Sequence, residues 1–290
     1  MDITQLRQQI DDVDDQLVKL FIQRMEISSQ IADYKKGQNL PIFDPLRERQ
    51  KLTDVASKVT PELESSVKVL YSLLFELSRS YQSQKNTAST TLFHSISHSI
   101  ETTPKLFPPQ AMIACMGAEN ERLKYAMQRL FKSPAPLYFQ STQAVFAAVD
   151  QGMCRYGLLP LDDTAVYDQL SAHHFYIIRS FRMQKIGGKV IQFILFGKQL
   201  EIYPGADRTS LMLALPNQPG SLYRVLARLY TLGLNIAKLD SRRSPCKEYK
   251  MLFYFDLETS IYSQEFIHLM CELDDLCEDF QYLGSYTEVV

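Results

Sequence analysis

Apolar side chains recur at helical spacing along the N-terminal part of the chain. They stand three, four or seven positions apart, at Leu6, Ile10, Val13, Leu17, Leu20, Ile27 and Ile31. This spacing predicts a single helix of about 34 residues, which would be about 50 Å long at the rise of an α-helix. Gly37 and the segment after it predict the end of that helix.

Two shorter helices are predicted after the first one in the sequence. Asp44 and Pro45 have the residue types of an N-cap and of a first helical position, and a third helix is predicted to begin near Thr60. Neither helix is long enough to cover the whole apolar stripe of the first. The pattern therefore predicts an all-α domain at 1–85 that forms an intertwined homodimer, with a second copy covering the rest. Association beyond the dimer stays open.

The rest of the chain changes character twice. Residues 86–109 are rich in Ser and Thr and are predicted to form a linker. Short apolar runs of strand type, with helical stretches between the earlier ones, predict a reduced α/β middle domain at 110–200. Residues 207–290 follow a β-α-β-β-α-β order, which predicts an α+β ferredoxin-like domain. The predicted fold class is multidomain.

Composition limits the classes of binding partner and the cellular compartment that we expect for this protein. The net charge of −2 gives no reason to expect a nucleic acid or an anionic membrane as a partner. No apolar run reaches the ~18 residues of a transmembrane helix, and the N-terminus lacks the pattern of a signal peptide, so we expect a cytoplasmic protein. The five cysteines contain no CxxC pair, which is typical of reduced thiols. For Cys271 and Cys277, helix packing is favoured over metal binding, and no metal is predicted.

Several polar residues fall on the apolar seams of the predicted helices. Arg24 lies in the stripe of the first helix, and Lys35, eleven residues later, returns to within about 20° of it. Further polar side chains share faces near the start of the second helix and the end of the third: Asp44, Arg47, Glu48, Ser78 and Gln82. Buried cations require anions, which favours an anionic ligand between the helices. Periodicity alone leaves open that these cations reach solvent and that Glu48 pairs on the surface.

Three segments of this domain resemble the all-α chorismate mutase family. They read LRQQIDDVDDQLVKLFIQRMEISSQIADYKK, IFDPLRERQKL and ELSRSYQSQ. The resemblance implies the rearrangement of chorismate to prephenate, without a cofactor or a covalent intermediate. It also implies a set of substrate-binding residues: Arg7, Arg24, Lys35, Asp44, Arg47, Glu48, Ser78 and Gln82.

The resemblance assigns catalytic roles to five of these residues. Arg7 would enter the pocket of the partner subunit, and Arg24 would clamp a substrate carboxylate. Lys35 and Gln82 would donate to the ether oxygen, and Glu48 would meet the substrate hydroxyl. These roles suit a pericyclic reaction, which needs a folded substrate conformer and donors where negative charge grows.

The middle region resembles the first lobe of prephenate dehydratase through IACMGAENERLKYAMQRLF and STQAVFAAVDQGMCRYGLLPLDD. The family's second lobe is missing after Arg182, and its Ile-Glu-Asn-Ser loop is replaced at 161–164. Ile191, Gln192 and Phe193 stand where the family has Thr-Arg-Phe. Neutral side chains cannot replace a hydroxyl donor and a carboxylate-binding cation. We therefore expect that the dehydratase activity is lost and that a one-lobe remnant is left.

The last region resembles the ACT regulatory domain of prephenate dehydratases, which implies phenylalanine as an effector. Its first effector segment is matched by Asn217, Pro219, Gly220, Ser221 and Leu222. In the second, Asp240, Ser241 and Arg242 are followed by Arg243 where the family has Pro. The alternative is an ACT fold that is kept for dimerisation alone.

Three functions remain in competition at this point. The favoured one is a chorismate mutase of phenylalanine biosynthesis, feedback-regulated by phenylalanine and without dehydratase activity. The second is a bifunctional enzyme that still converts prephenate to phenylpyruvate, which Ile191 and Gln192 argue against. The third is a non-catalytic amino-acid sensor, which the complete set of mutase residues argues against.

Overall fold

The computed structural model describes most of the chain. The described residues are 2–38, 40, 44–84, 91–161, 165–184, 190–244, 250–259, 261–263, 266–267, 269–270, 273 and 279–289. The chain forms two compact units, Met1–Ala88 and Ser89–Val290. None of the helices in the described residues is long and apolar enough to cross a membrane.

The first unit contains the three helices that the apolar pattern predicts. They are α1 (Ile3–Gly37), α2 (Pro45–Ala56) and α3 (Pro61–Gln84). Asp44 caps α2 as predicted, because its carboxylate accepts a hydrogen bond from the Arg47 backbone N–H at 3.0 Å. Helix α1 has 35 residues, so it extends well beyond what two shorter helices can cover.

Burial along α1 is confined to its second half. The fully buried positions of this helix are Met25, Ser28, Ser29 and Ala32. Apolar side chains of the first half lie in solvent, for example Ile10 and Leu20, which are 60% and 61% exposed. An exposed apolar face of this length is typical of a surface that a further protein segment covers.

The second unit, Ser89–Val290, alternates strands and helices. Its elements are α4 (Thr91–Thr102), β1 (Gln110–Met116), α5 (Glu121–Leu130), β2 (Ser133–Phe139), α6 (Thr142–Asp150), β3 (Tyr156–Pro160), α7 (Ala165–Ala172), β4 (Tyr176–Gln184), β5 (Val190–Gly197), β6 (Arg208–Pro216), α8 (Ser221–Thr231), β7 (Asn235–Arg243), β8 (Lys250–Glu258) and β9 (Asp279–Val289). Residues 266, 267, 269, 270 and 273 are also helical. The predicted α/β and β-α-β-β patterns are therefore present.

The linker prediction for 86–109 is wrong over the length of α4. Ile96 is fully buried in a core that it shares with Ile202, and Ser99 donates to the Leu200 carbonyl oxygen at 2.7 Å. The Ser/Thr content of the segment hides an apolar stripe at helical spacing, which includes Leu92 and Ile100. This segment is therefore an amphipathic helix of the second unit.

Ile96→Ala is expected to destabilise the second unit by about 2–5 kcal/mol, because it removes a fully buried side chain from a packed core. Leu106→Ala is the matched control, since Leu106 is 83% exposed and should change stability by less than about 0.5 kcal/mol. Denaturant unfolding, followed with hydrogen exchange on the strands, measures both. Equal stability of the two variants would contradict the packing of α4.

One nine-stranded sheet unites the two regions that the sequence predicts as separate domains. Its order is β2-β1-β3-β5-β4-β9-β6-β8-β7, with β4 and β9 paired in parallel. The last four strands are antiparallel and have the ferredoxin-like order that the pattern predicts. Gly284 of β9 permits the close approach of β9 to β4, because a Cβ at this position would lie 2.5 Å from the Ile177 carbonyl oxygen.

Candidate active site

Arg24 of α1 is anchored against α3. Its Nη1 donates to the Leu74 carbonyl oxygen at 3.0 Å and to the Ser78 hydroxyl. The guanidinium group lies 5.8 Å from the centroid of the Phe75 ring, within the range of a cation–π contact. The predicted seam position of Arg24 is thus an interhelical one, and the predicted Ser78 is its partner.

Burial leaves the Arg24 cation in a partly desolvated environment. Desolvation lowers the pKa of Arg24 from its usual value, while Tyr71 and Glu48 act in the opposite direction. Arginine nevertheless stays charged in proteins. A half-buried cation whose partners among the described residues are neutral gains from an anion that replaces its lost hydration.

A second interhelical contact lies one turn further along both helices. The side-chain amide of Gln82 donates to the Ser28 hydroxyl at 2.6 Å, and both residues are buried. Ser28 follows Arg24 by four residues on α1, and Gln82 follows Ser78 by four residues on α3. The two contacts therefore form successive rungs between α1 and α3, and the second places an amide donor beside the cation of the first.

Glu48 of α2 faces the same helix α3. It forms an ion pair with Arg79, and Arg79 also pairs with Glu76. The surface pairing of Glu48 with Arg47 or Lys51, which periodicity leaves open, is not what the structure has, since Lys51 pairs with Asp54. Arg79 and Glu76 were not predicted from the sequence. Their i, i+3 spacing resembles an ordinary ion pair on a solvated helix face.

The remaining predicted residues lie further away. Lys35 is partly buried and lies about 16 Å beyond Arg24 along the axis of α1. Asp44 and Arg47 are exposed at the start of α2, where Asp44 acts as the cap. Arg7 is exposed and lies about 25 Å before Arg24 along the same helix. One chain brings Arg24, Glu48, Ser78 and Gln82 together but cannot add its own Arg7.

In the second unit, a cavity of about 480 Å³ opens where β1 and β3 end and α5 begins. Ile191 and Phe193 line it, together with Asn120 and Arg122 from the start of α5. Gln192 contributes its backbone to the contact with the end of β3, since its carbonyl oxygen accepts a hydrogen bond from the Leu161 N–H at 2.7 Å. Of the two positions where the dehydratase motif is replaced, Ile191 is thus an apolar wall of the cavity. Residues 162–164 lie outside the described residues.

The two predicted effector segments lie at one end of the sheet. Strands β6 and β7 both run antiparallel to β8, so the segment after β6 and the end of β7 point the same way. Gly220 adopts φ +87° as the N-cap of α8, a conformation that favours glycine. Arg242 forms an ion pair with Asp168 of α7, and Asp240 pairs with Lys238 at 2.9 Å.

Metal ligands are not assembled in the described part of the chain, where no cluster of three or more His, Cys, Asp or Glu side chains could hold an ion. Cys115 and Cys154 are buried free thiols, and burial raises the pKa of Cys115 to about 12. Thiols of this kind are protonated and inert at neutral pH. Cys246, Cys271 and Cys277 lie outside the described residues.

Comparisons with known proteins agree with this division. Residues 6–83 match the family model of chorismate mutase type II. The bifunctional chorismate mutase/prephenate dehydratase of Aquifex aeolicus is 21% identical over 357 aligned positions, which cover 100% of this chain and 99% of that protein. Because this chain has only 290 residues, at least 67 of those positions are gaps in it.

Two solved structures share the fold. The prephenate dehydratase of Arthrobacter aurescens, solved in complex with L-Phe, matches 61% of this chain and 90% of its own, with a TM-score of 0.52 and 14% identity. A protein described as a quorum quenching acylase, GqqA, matches 60% and 94%, with a TM-score of 0.54 and 22% identity. Identities this low show the fold and leave the activity of the second unit undetermined.

The N-terminal helices are a chorismate mutase type II domain, the α/β unit that follows them in the sequence has the fold of prephenate dehydratases, and the whole chain is similar in layout to the bifunctional chorismate mutase/prephenate dehydratase.

Proposed function

We propose that the mutase domain rearranges chorismate to prephenate between its three helices, with Arg24 as the principal carboxylate-binding group. The observation that carries this proposal is the partly desolvated guanidinium of Arg24, held against α3 by Ser78 and the Leu74 carbonyl. Chorismate is a dianion, and an arginine fork matches a carboxylate with two parallel hydrogen bonds. Arg47, exposed at the start of α2, would add positive charge to the substrate-binding set.

The chemistry requires positioning rather than proton transfer. The ether C–O bond breaks while a C–C bond forms, so electrons move within one molecule and no group leaves it. The site must hold both carboxylates in a folded conformer. It must also donate to the ether oxygen as that oxygen becomes negative. Gln82 and Lys35 would supply these donors, and Glu48 would accept from the substrate hydroxyl.

A second copy of the chain would complete this site. Arg7 lies too far along α1 to reach the Arg24 of its own chain, and the first half of α1 exposes an apolar stripe. An isologous dimer, in which the two long helices cover each other's apolar stripes, would bury the exposed stripe and bring Arg7 to the site of the other subunit. In that dimer the partner subunit's Arg7 would bind the second carboxylate.

The second unit is proposed to lack dehydratase activity and to retain a regulatory role. Support for the loss comes from Ile191, which lines the cavity at the ends of β1 and β3 with an apolar side chain, and from Gln192, which is neutral where the family has an arginine. Support for regulation comes from the ferredoxin-like strands, with Gly220 and Arg242 at one end of the sheet. The relative solved with L-Phe suggests phenylalanine as the effector.

A time course with purified full-length protein tests these statements together. Added chorismate is expected to be consumed with equal formation of prephenate and no phenylpyruvate before acid treatment. A parallel reaction with phenylalanine is expected to run more slowly than one with the same concentration of glycine. Unchanged chorismate would overturn the mutase site, and enzymatic phenylpyruvate would overturn the loss of dehydratase activity. Equal rates with both amino acids would leave an ACT fold used for association alone.

A further inference from the structure

Arg79 is a buried cation that joins two helices through two carboxylates. Its Nη1 contacts Glu48 of α2 and its Nη2 contacts Glu76 of α3. The side chain is 7% exposed, Glu76 is 9% exposed, and Glu48 is 24% exposed. The fork geometry of the guanidinium allows it to hold both carboxylates at once, which a lysine ammonium cannot match.

The charges around Arg79 affect how well an anionic substrate can bind nearby. The titratable groups that face this region are Arg24 from α1, Glu48 from α2, and Tyr71, Glu76 and Arg79 from α3. Arg79 sets one positive charge between the two carboxylates. Without Arg79, two partly buried carboxylates would lie beside the bound dianion, where like charges repel strongly.

We propose that Arg79 is a positioning residue of the mutase site, which aims Glu48 at the substrate hydroxyl and shields the substrate carboxylates from Glu48 and Glu76. This proposal rests on the mutase site proposed above. Arg79 acts through Glu48 and does not itself meet the reacting atoms. The competing explanation is a purely structural ion pair that fastens α2 to α3, which would affect stability and leave the pH profile of catalysis unchanged.

Four variants of the full-length protein separate the two explanations: Arg79→Met, Arg79→Lys, the double variant Glu76→Gln/Arg79→Met, and the control Arg49→Met. Arg49 is an exposed arginine on α2 and is not among the residues proposed for the site. Steady-state kcat and KM for chorismate are measured from pH 5.5 to 8.5, and thermal unfolding is recorded for each variant.

At pH 8, Arg79→Met is expected to raise KM about 100-fold, because it removes the cation that contacts Glu48 and Glu76 beside the substrate. Its kcat/KM should recover about tenfold as the pH falls, because protonation removes negative charge beside the bound dianion once the guanidinium is absent. The double variant should regain about tenfold at pH 8, since it carries one carboxylate fewer. Arg79→Lys should fall between wild type and Arg79→Met, and Arg49→Met should match wild type.

A kcat/KM that is lower at every pH by the same factor, or that Glu76→Gln does not relieve, would overturn the proposal. If Arg79→Met does not fold, the double variant and Arg79→Lys carry the same comparison. In that case a pH profile of both variants parallel to wild type overturns it. Wild type and Arg49→Met report separately on the mutase site, since their failure to convert chorismate would refute that site instead.

Discussion

Lys35→Met is expected to lower kcat for chorismate rearrangement by about 10²–10³-fold, the usual effect of removing one donor from a developing oxyanion. Lys35 lies in the last turn of α1, on the face of the helix that also carries Arg24. The loss should appear mainly in kcat, because the ether oxygen gains its charge in the transition state and carries little in bound chorismate.

Lys36→Met is the matched control for this prediction. Lys36 is the next residue of the same last turn and is exposed, so the two lysines meet the helix dipole alike. Circular dichroism of both variants should match wild type. A rate for Lys35→Met within a factor of about three of the Lys36→Met rate would show that Lys35 does not face the reacting ether.

The helices of the mutase domain could be predicted because the signals that define them are local. Asp44 and Pro45 mark the start of α2 by residue type alone, and the structure has the expected cap. The stripe of α1 follows directly from its period of three and four. Arg24, Ser78 and Gln82 could be singled out for the same reason, because a polar residue interrupts a local apolar pattern.

Arg79 could not be found in this way. Its partner Glu48 is 31 residues earlier in the chain, and only tertiary packing brings the two together. Within α3, Glu76 and Arg79 have the spacing of an exposed ion pair, so their burial has no local sign. An alignment of relatives could have revealed paired changes at positions 48 and 79, but one sequence carries no such signal.

The second unit shows the same limit at a larger scale. Its strands follow from local apolar runs and turn residues. The positions of the last four strands in the sheet follow from the β-α-β-β-α-β order along the chain. The parallel pairing of β4 with β9 does not, because more than 90 residues separate Arg179 from its partner Thr287 and long-range pairing depends on the whole sheet. Helix α4 is hidden for another reason: its serines and threonines give the segment the composition of a linker, while the apolar stripe shows only in the helical period.

The layout of the chain also explains why the two units require separate tests of function. Three of the residues proposed for the mutase site, Arg24, Glu48 and Gln82, make contacts between α1, α2 and α3. In the second unit, Ile191 and Gln192 stand at the positions where the dehydratase family has a hydroxyl and a cation. A shared fold carries over between such proteins more readily than a shared activity.

Arg7→Ala and Arg24→Ala are each expected to lower kcat/KM by at least about 100-fold as homodimers, because each removes a charged partner of a substrate carboxylate. Combined in one heterodimer, they should restore activity. The chain with Arg7→Ala keeps its Arg24, and the chain with Arg24→Ala keeps its Arg7. One of the two sites in such a dimer is therefore complete, so the isolated heterodimer should have about half of the wild-type activity.

A heterodimer of Arg24→Ala with Lys35→Met is the control for subunit mixing. Both of these residues come from the same helix of one subunit in the proposed site, so neither site of that heterodimer is complete and it should stay as inactive as its parents. The heterodimers can be isolated after coexpression with two different affinity tags. If Arg7→Ala with Arg24→Ala were equally inactive, Arg7 would not cross between subunits, and the apolar stripe of α1 would need another explanation. Restoration in that pair alone would show that the long helix serves two active sites, one at each half of its length.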